Sequence, residues 1–163
     1  MQCTECAIGE IRLERVAREL SSDLPHVIVD GVELGRCSNC GETFTSFPRW
    51  SDLSKRVVAA LIAKPSRLMP GELRFLRQVM GLKAQSLAEV LGVTPSQISR
   101  WENGAVPISG LADRLFRMVV AAHVGVVYPD LTVIDAHRSE PLSTRFELGR
   151  RGWRRIEGAA KAA

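Results

Sequence analysis

The four cysteines of this 163-residue chain fall into two identical pairs, Cys3-x-x-Cys6 and Cys37-x-x-Cys40. A two-residue gap lets both thiolates of a pair turn toward one ion, and two such pairs supply the four soft ligands of a closed tetrahedral site. Gly41 follows the second pair and permits its turn to close at positive φ; the first pair is followed by Ala7-Ile8-Gly9 instead. No cysteine is left over to open a coordination position, and no His or Asp is obviously placed to do so. One structural Zn2+ is therefore expected, with no chemistry of its own. An iron–sulfur cluster uses the same ligand type and stays open as an alternative. A redox dithiol needs only one pair, set beside a βαβ pattern that this sequence lacks.

A second set of chemically active side chains follows Gly92, in Val93-Thr94-Pro95-Ser96-Gln97-Ile98-Ser99-Arg100-Trp101-Glu102-Asn103-Gly104. Thr94 suits a helix N-cap, Pro95 its first position and Gly104 its end. Ile98 and Trp101, three residues apart, are expected to face a core. Ser96, Gln97, Ser99 and Arg100 then lie on or near the opposite surface. Arg100 can reach both acceptors of a guanine, a contact worth about 1–3 kcal/mol of discrimination. Gln97 also completes a Thr94-x-x-Gln97 capping-box spacing, so it can close the helix start in place of reading a base.

The elements that must position these groups are legible in outline. Between the cysteine pairs, Ile11 and Leu13 alternate with Arg12 and Glu14, the period of a half-buried strand. Val27-Ile28-Val29 and Val32-Glu33-Leu34 flank Asp30-Gly31, which predicts a two-residue hairpin turn there. So small a β module has little core, and metal binding on the order of 10–16 kcal/mol can supply much of its folding free energy. After Phe47-Pro48-Arg49-Trp50, Ser51 is the expected N-cap of a helix, with Asp52 favourable in its first turn. Leu53, Val57 and Leu61 mark that helix's buried face, and two prolines with a serine in 64–70 predict a boundary. Beyond Pro70-Gly71, Leu73, Leu76 and Met80 form an apolar helical face ended by Gly81. A second short helix carries Leu87, Ala88 and Leu91 and ends at Gly92. Two short helices with a glycine-marked turn fit a helix-turn-helix, whose second helix enters the major groove.

The expected fold class is α+β: a small four-cysteine, zinc-ribbon-like β module (1–50), a linker helix (51–69) and an all-α helix-turn-helix domain (70–120). Residues 121–163 form an extension of uncertain structure, in which Val126-Val127-Tyr128 and Phe146-Glu147-Leu148 are candidate strands. Arg150, Arg151, Arg154 and Arg155 surround Trp153 as a basic cluster that can touch phosphates or simply face solvent.

Charge follows the same division. Residues 1–50 carry a balance of −3, residues 51–120 one of +5, and the remainder one of +2. The middle segment has the bias of a nucleic-acid surface. The start Met1-Gln2-Cys3-Thr4-Glu5-Cys6 lacks the basic and apolar regions of an export signal, so an intracellular, cytoplasmic chain without disulfides is expected. His26, His123 and His137 are scattered and sit in no nucleophile or base motif, which argues against an enzyme.

Leu73-Arg74-x-Leu76-Arg77-x-x-x-Gly81-Leu82, Leu87-Ala88-x-x-Leu91-Gly92-Val93 and Ile98-Ser99-Arg100-Trp101-Glu102-Asn103-Gly104 resemble the XRE/Cro repressor family over about 45 residues. The resemblance implies dimers that bind operator DNA, usually at palindromic sites. It places Ser96 and Arg100 at base-facing positions, and Arg77 with Glu102 at positions that form a helix-bridging ion pair in some members. The glutamine that such proteins often place early in the second helix is Ala84 here, with Gln85 adjacent. With the cysteine pairs and intervening helix included, residues 1–120 are similar to the MqsA-type antitoxins. That similarity implies a repressor of its own toxin–antitoxin operon, whose zinc module contacts a ribonuclease-class toxin. A zinc-containing regulator without a toxin shares this architecture, and a protein-interaction adaptor is the further alternative.

Overall fold

The computed structural model describes residues 1–156. Strand β1 (Ile11–Ser21) and the long strand β2 (Leu24–Cys37) form an antiparallel hairpin. The far edge of β2 is shared end to end by β3 (Thr43–Ser46), antiparallel to it, and β4 (Thr144–Gly149), parallel to it. Strand β5 (Gly152–Ile156) closes the sheet beside β4. Between β3 and β4 come five α-helices, α1 (Trp50–Ile62), α2 (Pro70–Val79), α3 (Ala84–Leu91), α4 (Pro95–Glu102) and α5 (Gly110–Val124), and a 3-10 turn at Leu131–Val133. The helical region is thus inserted in the connection between two strands that lie end to end along one edge of β2. The fold is α+β, as expected.

The Asp30-Gly31 turn is a correction. β2 runs straight through it, and the reversal comes earlier, at Ser22-Asp23, where Ser21 Oγ accepts from the Asp23 N–H at 3.0 Å. Gly31 keeps its positive φ of 115° but serves as a bulge. The register passes from Val16 opposite Val32 to Ala17 opposite Asp30, skipping it. A bulge adds one unpaired residue and bends the strand without ending it. The longer strand gains burial: Leu24, Val27, Val29 and Val32 all join the core, which a turn at 30–31 would have split. A Cβ on Gly31 would lie 2.7 Å from Leu148 Cβ of β4, so the neighbouring strand also requires glycine there. Of the two expected strands in the extension, Phe146-Glu147-Leu148 lies in β4, whereas 126–128 forms none.

Helix α1 buries Leu53, Val57 and Leu61 as its periodicity predicts. Its cap differs from expectation. Arg49, in the left-handed region at φ 53°, is the N-cap, and Ser51 lies inside the first turn. The helix start is held by β5: Trp153 N–H donates to Asp52 Oδ2 at 2.9 Å and Trp153 Nε1–H to the Pro48 carbonyl at 2.7 Å. The first of these bonds, with Arg56, holds the Asp52 carboxyl below its ordinary pKa. Trp153 is 1% exposed, so the basic cluster surrounds a core anchor. Within it, Arg154 pairs with Glu147 and Arg155 donates to Thr144.

In residues 64–70, read from the sequence as a boundary, Lys64, Ser66 and Leu68 are buried and tied down. One contiguous cluster of buried side chains extends from Leu20 through α1, α2, α3, α4 and α5 to Trp153. Arg117 of α5, fully buried, directs its guanidinium at the end of α1 and the segment after it. It donates to the carbonyls of Ile62 (3.0 Å), Lys64 (2.5 Å) and Ser66 (2.7 Å) and to both oxygens of Asp113. Asp113 Oδ2 also accepts from Leu68 N–H at 2.8 Å. Beside this network, Lys64 Nζ meets Glu72 Oε2 at 2.5 Å and the Glu140 carbonyl at 2.6 Å. Burial pulls the Lys64 pKa down, against the attraction of Glu72. Removing one partner of such a pair strands the other charge, so Arg117→Ala is expected to destabilise by about 3–5 kcal/mol in denaturant unfolding.

Candidate metal centre and nucleic-acid interface

Cys3 and Cys6 stand in the turn before β1, and Cys37 and Cys40 at the end of β2. Antiparallel pairing of Ile11 with Cys37 therefore brings the two turns together. All four Sγ atoms lie within 4.8 Å of one another, with Cys3 to Cys40 at 3.7 Å and Cys6 to Cys37 at 3.6 Å. A tetrahedral ion with metal–sulfur bonds of about 2.3 Å requires sulfurs about 3.8 Å apart. The cluster fits one metal ion. A multi-iron cluster spreads its thiolates over separate irons and would need some of these distances to be longer.

The backbone supports the thiolates. Gly9 N–H donates to Cys6 Sγ and Asn39 N–H to Cys37 Sγ, each at 3.4 Å. The N–H groups of Gly9 and Ile8 lower the Cys6 pKa to about 6, and those of Cys40 and Asn39 lower that of Cys37. Cys40 moves the other way, to about 12: the Glu42 N–H favours its thiolate, but Cys37, burial, Cys6 and Cys3 together outweigh it. Four thiols this close cannot all ionise without a cation among them. The missing glycine of the first turn proves immaterial, because Ala7 adopts φ 53° where Gly41 has 74°. Gly9 is the more constrained residue. A Cβ there would run into Cys37 Sγ and come within 2.9 Å of Asn39 N. If the cluster holds a metal ion, Gly9→Ala is expected to weaken its binding by about 10–100-fold, read with added Zn2+ by competition with a chromogenic chelator.

The second site is built on α4. Thr94 caps it, its Oγ1 accepting from Gln97 N–H at 3.2 Å. Pro95 takes the first helical position and Gly104, at φ 73°, follows the end. Gln97 contributes its backbone N–H to this cap, and its half-buried side chain makes no reciprocal bond among the described residues. Ile98 and Trp101 are buried, whereas Ser96, Ser99 and Arg100 are exposed. Arg77 Nε and Nη2 grip the Glu102 carboxylate at 2.6 and 2.9 Å, bolting α2 to α4. The Glu102 carboxylate raises the Arg77 pKa further. Gln85, beside Ala84, is exposed at the start of α3.

The structure adds groups to which the sequence reading gave no role. Arg74, noted only within the family pattern, reaches from α2 to the hairpin tip and to the end of α4, through Asp23 and the Glu102 and Asn103 oxygens. The signal for that tip was present in Ser21-Ser22-Asp23-Leu24-Pro25, a run of turn formers before a proline. His26, His123 and His137 are each exposed on different parts of the fold.

A short helix pair, a glycine-marked turn, a buried tryptophan and a polar outer face define α3 and α4 as a helix-turn-helix. In agreement, residues 73–111 match the family model described as Helix-turn-helix, a span from within α2 to the first turn of α5. Through this segment the chain is a DNA-binding regulator of transcription. Comparison of the chain with curated proteins finds no match. No helix among the described residues is long and apolar enough to cross a membrane.

Proposed function

We propose that this protein is a sequence-specific, cytoplasmic repressor that binds operator DNA as a homodimer and contains one structural Zn2+. The exposed Ser96, Ser99 and Arg100 on a capped helix, fixed to α2 by the Arg77–Glu102 pair, carry the reading. Arg100 is the leading base reader, Ser96 and Ser99 are supporting contacts, and Gln97 sits at the helix start with its side chain available. The metal holds the two cysteine turns together and takes no part in chemistry. The zinc assignment is supported by four sulfurs at tetrahedral spacing, with no further His, Asp or Glu in the group among the described residues.

Dimerisation is supported by α5. Leu111 (80% exposed), Leu115 (43% exposed), Met118 and Ala122 recur along one face of that helix. A two-fold pair meeting there would present two recognition helices. The test is selection of bound duplexes from a randomised pool by the full chain. A palindrome with half-sites about one helical turn apart is the expected product. Enrichment no better than chance across a salt series would defeat the repressor reading. Arg100→Ala is expected to weaken the selected duplex by about 5–100-fold while leaving random duplex less affected; equal loss on both would remove its base-reading role.

The more specific form of this proposal is an antitoxin that represses its own operon, with the acidic 1–50 segment docking a basic, ribonuclease-class toxin. The balance of −3 over those residues favours such a partner electrostatically. Co-expression with the neighbouring gene product tests it. Rescue from a growth-toxic neighbour, with a complex lost when surface acids of 1–50 are neutralised, is expected. A harmless neighbour that forms no complex would leave a free-standing regulator. Basic residues at 150, 151, 154 and 155 then add salt-dependent phosphate contacts through Arg150 and Arg151, which are exposed at the β4–β5 turn.

A further inference from the structure

Ser99 stands at the end of a chain of hydrogen bonds that begins at the tip of the β1–β2 hairpin. Arg74 Nη1 donates to Asp23 Oδ1 at 2.9 Å, and Nη2 donates to the Glu102 carbonyl at 2.8 Å and to Asn103 Oδ1 at 3.2 Å. Asn103 Nδ2 then donates to Ser99 Oγ at 3.2 Å. The direction of each bond is set by chemistry. A guanidinium has donors only, so it can be met by Asn103 only through the amide oxygen. The amide nitrogen, which only donates, must then face Ser99, and the Ser99 oxygen must accept. Its hydroxyl hydrogen is left pointing away from Asn103, and no acceptor for it occurs among the described residues. Ser99 is exposed on the same helix as Arg100.

We propose that Ser99 meets the duplex with its hydroxyl hydrogen turned outward as a donor, with Asp23, Arg74 and Asn103 acting as positioning residues that orient it. A free serine hydroxyl donates and accepts, and so tolerates either kind of base edge. The relay occupies one of the two lone pairs of the Ser99 oxygen and turns the O–H away from Asn103, which favours donation. Ser99 is therefore poised to donate to an acceptor, either a phosphate oxygen or an acceptor on a base edge such as purine N7. This inference rests on the DNA-binding reading and adds to it a role for the hairpin of the cysteine module.

A double-mutant cycle on the full chain with the selected duplex tests it. Ser99→Ala is expected to weaken binding about five- to tenfold and Ser99→Thr, which keeps the hydroxyl, less than twofold. Asn103→Ala is expected to cost about three- to tenfold in the wild-type background but less than twofold in the Ser99→Ala background. Loss confined to the selected duplex assigns the acceptor to a base edge, and equal loss on random duplex assigns it to phosphate. Additive losses, or no effect of Ser99→Ala, overturn the proposal. A DNA-free readout accompanies the cycle: the Asn103 side-chain amide resonances are expected to shift in both Ser99→Ala and Asp23→Ala, and unchanged resonances in either break the relay. If wild type selects no duplex, the DNA-binding reading fails and takes this contact with it. A wild type that selects normally, with an additive cycle, sinks this inference alone.

Discussion

The buried guanidinium of Arg117 is the interaction on which the arrangement of this molecule depends. All five of its N–H donors are met, by three main-chain carbonyls at and after the end of α1 and by the Asp113 carboxylate. A charge taken out of water costs several kcal/mol unless it is paired and fully hydrogen-bonded. The segment 62–68 therefore has little choice of path, since its carbonyls and the Leu68 N–H complete a network that would otherwise be heavily penalised. That path determines how α1, against the sheet, sits relative to α2 and α5.

Lys64 and Glu72 extend the same constraint to the returning chain. Glu72 accepts from Lys64, from the Met69 N–H at the start of α2 and from the Leu142 N–H just before β4. One carboxylate thus helps fix a helix start and the re-entry of the chain into the sheet. The helix-turn-helix is in this way carried on a frame whose two ends, β3 and β4, lie along one edge of β2. The hairpin itself reaches from the cysteine cluster at one end to the Arg74 contact at the other. The cysteine cluster and the second helix of the helix-turn-helix belong to one continuous framework.

Chemistry divides along that framework. At the cysteine end, four sulfurs at tetrahedral spacing need a cation to neutralise one another, and the backbone N–H groups that surround them stabilise thiolate. At α4, donors and acceptors are directed outward from a helix whose inner face is bolted down by Trp101 and the Arg77–Glu102 pair. Rigid support below and unsatisfied hydrogen-bonding groups above are what recognition of a base edge requires.

The sequence by itself determined what short-range physics controls. Paired Cys-x-x-Cys spacings marked the four sulfurs that could hold a metal ion, and Thr94, Pro95 and Gly104 specified the limits of α4. The 3.6-residue periodicities of α1, α2 and α3 specified their buried faces. Each depends on residues within a turn or two of one another. Tertiary structure alone decided the rest. Gly31 can serve a turn or a bulge with the same positive φ, and only the packing of Val27, Val29 and Val32 against the helices, with Leu148 alongside, selects the bulge. Ser51 is a good cap, but Trp153, about a hundred residues away, claims Asp52 and sets the helix start instead. The charges of Arg74, Asp113 and Arg117 look like ordinary surface charges in a helical pattern. Their roles come from partners 28 to 55 residues distant, brought within bonding distance only when the sheet closes around the inserted helices.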